Sequence, residues 1–237
     1  MPTAKDIEQA LQVHADADDA VFLQRFFKTG EGQYGAGDVF IGVRVPVTRA
    51  ICRQYDDISF TEIQKLLASP IHEYRLAGVI LLVNKYKKAD ESLREKIYRL
   101  YLAALDAEQI NNWDIVDISA EFIVGEYLWT RPRNPLFKLA ESDDVWHRRV
   151  AVLATFCFIK KGDALTTLQL AEKLLTDRHD LIQKAVGWML REVGKRIDRK
   201  LLVDFLEKHY QKMPRTMLRY AVEHLPADKR AYFMKKV

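Results

Sequence analysis

Cysteine is nearly absent from the chain: Cys52 and Cys157 are its only two in 237 residues. Neither belongs to a CxxC pair and both lie among apolar neighbours, which excludes a disulfide framework or thiolate metal site and predicts two buried thiols. Histidine is sparse too. His14, His72, His147, His179, His209 and His224 show neither HxxxH nor HxH spacing, so no metal is expected. No apolar run reaches the roughly 18 residues of a membrane span, and the opening MPTAKDIEQALQVHADADDA has no basic stretch followed by an apolar one. A cytoplasmic protein is therefore expected. Glycine is scarce outside GEGQYGAGDVFIG, which holds Gly30, Gly32, Gly35, Gly37 and Gly42, half of the chain's ten. That pattern follows no strand, which argues against a dinucleotide site, and no cofactor is expected.

What is present is ordinary in bulk and informative in order. With 49% apolar and 30% charged residues the chain can bury a sizeable core. Nearly every long segment reads at helical period, and no alternating strand of useful length is evident. The glycine-rich stretch reads as a loop ending at Pro46, where VPVTRAICRQY starts a helix with proline near its first turn. Aligning HEYRLAGVILL, WDIVDISAEFI, WHRRVAVLATF, LIQKAVGWMLR and TMLRYAVEHL superposes Arg75, Asp117, Arg149, Lys184 and Arg219, spaced 42, 32, 35 and 35. Each is followed within two residues by a small one: Ala77, Ser119, Ala151, Ala185 and Ala221. These spacings predict stacked helix pairs, an all-α, HEAT-like repeat α-solenoid (an α-α superhelix) with small residues where helices cross. The expected organisation is one domain over residues 1–237, with N-terminal helices and the loop in 1–50 and stacked repeats in 51–237.

One repeat breaks the cationic register. NNWDIVDISAEF, residues 111–122, reads as one amphipathic helix whose buried face is Ile115, Ile118 and Phe122, within about 60° of one another at roughly 100° per residue. Trp113 and Asp117 fall on the other side, about 40° apart by the same count. Either the repeat has drifted and Asp117 pairs with a neighbour such as Arg149, or a carboxylate is set among cations lining a concave surface. In QKAVGWMLREVG, Val186, Met189, Leu190 and Val193 form the apolar face, and Lys184, Trp188 and Arg191 lie opposite. Two of the units thus each present a tryptophan away from the core. Trp146, in a helix apolar on most sides, reads as core.

Charge is unevenly distributed. Residues 131–237 hold 23 Lys and Arg against 13 Asp and Glu, a net of +10, whereas residues 1–130 carry a net of −6. A basic concave groove suits a phosphate backbone, with Arg149, Lys184, Arg191 and Arg219 as candidates. GKRIDRK adds Lys195, Arg196, Arg199 and Lys200, or is a solvated helix end. A carboxylate repels phosphates, so it makes sense there only if positive charge develops beside it. Hydrolysis of an N-glycosidic bond does this at an oxocarbenium-like sugar, and an already cationic alkylpurine leaves without a second acid.

These residues also carry a resemblance. NNWDIVD, VWHRRVAVL and IQKAVGWMLREVGK, with FFKTGEGQYGAGDVFIGVRVP upstream, resemble the DNA alkylation repair family of HEAT-like DNA glycosylases, the AlkD type, from about residue 20 to 230. The resemblance implies a monofunctional enzyme that releases cationic N3- and N7-alkylpurines from double-stranded DNA without metal or cofactor, as a monomer needing no protein partner or membrane. It implies Asp117 as the catalytic aspartate, Trp113 and Trp188 as the aromatic pair at the lesion, and Arg149 and Arg191 as DNA contacts; Arg148, Lys184, Arg219 and Arg44 are expected to contact DNA beside them. Arg44 stands where a relative has glutamine, and Phe26 replaces a tyrosine. The family is thought not to depend on a deep base-binding pocket, and the sequence shows no pocket signature. The alternatives are a non-catalytic binder of damaged or structured DNA and a protein-interaction solenoid.

Overall fold

The computed structural model describes residues 1–235. Among the described residues no strand forms; Val39 and Ile71 make an isolated bridge, and helices follow one another from end to end, so the fold is all-α as predicted. None of the described helices is long and apolar enough to cross a membrane. They group into two compact units, one of Met1–Ser119 and one starting at Ala120.

The first unit comprises α1 (Ala4–Gln12), α2 (Ala17–Phe26), α3 (Val45–Cys52), α4 (Phe60–Leu67), α5 (His72–Lys88), α6 (Glu91–Asp106) and α7 (Trp113–Asp117). Short polar residues start most of these helices: Thr3, Asp16, Ser59, Asp90 and Asn112 each accept a backbone N–H that the first turn leaves unpaired. Helix α5 is buried on nearly every side through Val83, with α3 and α4 packed against it. The glycine-rich stretch is a loop, and Pro46 sits in the first turn of α3.

The second unit contains a π-helical turn (Glu121–Gly125), α8 (Glu126–Leu128), α9 (Asn134–Ala140), α10 (Val145–Lys160), α11 (Leu165–Lys173), α12 (Asp180–Arg196), α13 (Arg199–His209), α14 (Arg215–Ala221) and α15 (Ala227–Met234). Helix α12 packs against both α10 and α14. The predicted small residues Ala77, Ser119, Ala151, Ala185 and Ala221 are all buried. Helices α12 and α14 approach closely at Gly187, where a Cβ would lie 2.4 Å from the Met217 carbonyl oxygen on α14. Val186, Met189, Leu190 and Val193 form the buried face of α12 as expected, Trp146 is core, and both cysteines are buried, their thiols pushed up to about 12 by desolvation.

Two expectations are corrected. Residues 111–122 are not one helix: α7 ends at Asp117, and a π-helical turn begins four residues later. Ser119 explains the break, because its Oγ donates to the Ile115 carbonyl at 2.6 Å and its N–H bonds Val116, three residues back. The wider turn then rotates Phe122 off the predicted face, leaving Phe122 and Ile118 half-buried while Ile115 is buried. The aligned cations are not a surface row either. Arg75 and Arg149 are 4% and 5% exposed. Arg75 donates to the Ser69 carbonyl at 2.8 Å and Arg149 to the Leu181 carbonyl at 2.7 Å, so these guanidiniums satisfy buried backbone oxygens.

Candidate functional site

In the first unit, α7 positions the two residues singled out by sequence. Asn112 caps it, its side-chain oxygen accepting the Trp113 N–H at 2.9 Å. Trp113 and Asp117 then lie one turn apart, both half-buried, on the wall of a cavity of about 410 Å³. The other walls are mostly apolar: Leu23, Phe26 and Phe27 from α2 and its end, Phe40 and Val43 from the loop, Pro46 from α3 and Leu76 from α5. The sequence carries no signature of this cavity. Its residues come from segments that sequence spacing does not connect.

The aromatic wall is layered. Trp113 stacks on Phe27 with centroids 5.0 Å apart, Phe27 on Phe40 at 5.0 Å, and Phe40 on the His72 ring at 4.4 Å. Phe26 meets Trp113 edge-on at 5.9 Å and is 53% exposed. Arg44 also lines the cavity, lies over the Phe22 ring at 5.2 Å and donates to Asp19 at 2.7 Å.

Behind this wall lies a buried charged cluster that the sequence reading missed. The His72 ring bonds Asp38 at 3.1 Å and Asp114 at 2.9 Å; Asn112 donates to Asp38 at 3.0 Å and Arg75 also pairs with Asp38. Burial opposes charge on His72, but Asp114 and Asp38 outweigh it and raise the imidazolium to about 9. Burial likewise opposes the Asp38 carboxylate, yet His72 and Arg75 hold it below its ordinary value. Glu73, 1% exposed, accepts the N–H groups of Ile41, Gly42 and Val43 at 2.9 to 3.2 Å, tying down the loop that carries Phe40. A signal did exist: HEY opens an otherwise apolar helix, where charged residues need buried partners.

In the second unit, Lys184, Trp188 and Arg191 share one face of α12, all half-buried, as predicted. Trp188 packs 5.8 Å from Phe156. The cations there are engaged: Lys184 with Asp180 at 2.6 Å, Arg191 with Glu223 and Glu192, and Arg148 with Asp177 at 2.8 Å and two carbonyls. Arg219 is exposed. Lys195 and Arg196 occupy the last turn of α12, where cations suit the helix dipole, and Arg196 also bonds Glu192 at 2.6 Å.

A family model described as DNA alkylation repair enzyme matches residues 7–225. The chain belongs to that family. Among solved structures, this DNA alkylation repair family member is similar to one described as "Predicted DNA alkylation repair enzyme from Enterococcus faecalis". The two are 18% identical with a TM-score of 0.69, over 90% of this chain and 97% of that one, which speaks to the shared fold. No curated protein matches the chain. Membership makes DNA repair the setting of the protein.

Proposed function

We propose that the protein is a DNA glycosylase that hydrolyses the N-glycosidic bond of cationic N3- or N7-alkylpurines in duplex DNA, as a HEAT-like repeat protein acting in base excision repair as a monomer. The observation that carries this reading is Asp117, a carboxylate on the wall of a largely apolar, aromatic cavity. A cation placed there meets the Asp117 carboxylate and aromatic faces, while the other lining carboxylates, Asp114 and Glu73, are engaged by His72 and by loop N–H groups. As the bond from C1′ to the purine nitrogen breaks, its electron pair neutralises the departing base and leaves an oxocarbenium sugar. Asp117 stabilises that charge and accepts a proton from the water that adds at C1′, leaving free base and an abasic site. At about 4 Å and an effective dielectric near 20 the attraction is about 4 kcal/mol, on the order of a thousandfold in rate.

The outer face of Trp113 favours the charged sugar by roughly 0.5 to 2 kcal/mol. Trp188 is assigned to DNA contact on its own unit, with Lys184, Arg148, Arg191 and Arg219 holding phosphates there and Arg44 doing so beside the cavity. Arg149, bonded to the Leu181 carbonyl, positions the start of α12 and thereby Lys184.

The test is release of free base from duplex DNA containing 7-methylguanine, with Asp117→Asn in parallel. Release by wild type, lost in Asp117→Asn with duplex binding retained, is expected. Equal release by both removes Asp117 from the chemistry. No release by either, with tight salt-sensitive binding, replaces the glycosylase with a non-catalytic DNA binder.

A further inference from the structure

Helix α7 carries both Trp113 and Asp117 on five residues. So short a helix does not hold itself together in water, because nucleation is unfavourable and a single turn returns few hydrogen bonds. Its position is therefore set from outside, and the outside contacts converge on His72. One ring nitrogen of His72 bonds Asp114, in the first turn of α7; the other bonds Asp38, which also accepts from Asn112, the cap of α7. The same ring closes the stack that runs through Phe40 and Phe27 to Trp113.

We infer that His72, as an imidazolium clamped between Asp38 and Asp114, is the positioning residue that fixes α7, and so sets where Trp113 and Asp117 stand on the cavity wall. A merely structural histidine would serve neutral. Here the position resists a cation on two counts, full burial and the N-terminal end of α5, where the helix dipole is positive. Two carboxylates on one ring offset both. The charged groups facing it are complete in kind: Asp38 from the loop, Asp114 from α7, and Arg75 and Glu73 from α5 itself, the first paired with Asp38 and the second with loop N–H groups. Deprotonation leaves the ring with one N–H for two carboxylates, so one must lose its bond. Loss of the Asp114 bond frees the first turn of α7, and loss of the Asp38 bond leaves the carboxylate that holds the Asn112 cap with only Arg75 as its charged partner.

The catalytic part of this inference rests on the glycosylase reading; the positional part does not. The experiment separates them. Protein labelled with 5-fluorotryptophan gives one fluorine signal for each of Trp113, Trp129, Trp146 and Trp188. In wild type the Trp113 signal is expected to move as pH rises, with the midpoint of the His72 ring followed by nitrogen NMR, while buried Trp146 stays fixed. In His72→Gln and Asp38→Asn the Trp113 signal should be displaced at all pH values, and base release should fall roughly a hundredfold with duplex binding unchanged. A Trp113 signal indifferent both to the His72 titration and to the substitutions overturns the inference. Should a variant fail to fold, the wild-type titration still decides. If wild type releases no base yet Trp113 follows His72, the glycosylase reading fails and the positioning role stands.

Discussion

Arginine shows how little residue type alone says about role. Arg149 and Arg219 occupy equivalent places in the repeat register, yet one is 5% exposed with its guanidinium on the Leu181 carbonyl and the other faces solvent. Arg149→Ala should cost about 2 to 4 kcal/mol in urea denaturation, because it strands a buried carbonyl and the groups packed on the guanidinium. Arg219→Ala should leave stability within roughly 0.5 kcal/mol. If the DNA reading holds, that variant instead lowers duplex affinity and reduces the salt slope by about one. That Trp113 and Asp117 share one side of α7 was legible from sequence, because four residues are about one helical turn. His72 was not, since nothing in its neighbours shows that residues 34 and 42 positions away close on its ring.

At the scale of elements, small residues set how closely helices approach. Gly187 lets α12 cross α14, and an alanine there would collide with the Met217 carbonyl and the Tyr220 side chain. Gly187→Ala is expected to lower stability by about 1 to 3 kcal/mol, more than its gain in helix propensity, and thermal unfolding will read the difference. Gly42 is constrained twice, by a φ of +85° and by the Asp16 carbonyl oxygen 2.0 Å from where a Cβ would be. Gly42→Ala should therefore loosen the loop that carries Phe40, seen as faster hydrogen exchange at Ile41 and Val43, whose N–H groups bond Glu73. The repeat helices were legible because their apolar spacing recurs. The break after Asp117 was not, because a serine bonding its own helix leaves the hydrophobic pattern unchanged.

Across the whole molecule, charge divides along the structural boundary. Residues 1–119 hold 14 Lys and Arg against 18 Asp and Glu, a net of −4, and residues 120–237 hold 23 against 15, a net of +8. Duplex binding by the full chain is expected to protect lysines after residue 120 from chemical modification more than those before it; even protection would contradict the assignment of phosphates to the second unit. Stability should also carry the mark of one buried histidine. Because the folded pKa of His72 is raised from 6.5 to about 9, its contribution is fully present below pH 6.5 and is lost as pH rises through about 9. The loss is on the order of 3 kcal/mol, read as a falling urea midpoint over that window which His72→Gln should flatten.

The sequence by itself determined the helical class, the repeat register, the two buried thiols, the core tryptophan and the placing of Trp113 and Asp117 one helical turn apart, because each depends on local period or on residues a few positions apart. Only the tertiary structure decided that a cavity exists beside Asp117, that two aligned arginines turn inward, and that His72 links the loop, α5 and α7. Each of those is a contact between segments distant in the chain, formed where burial forces a polar group to find a partner, and no local pattern records which partner it finds.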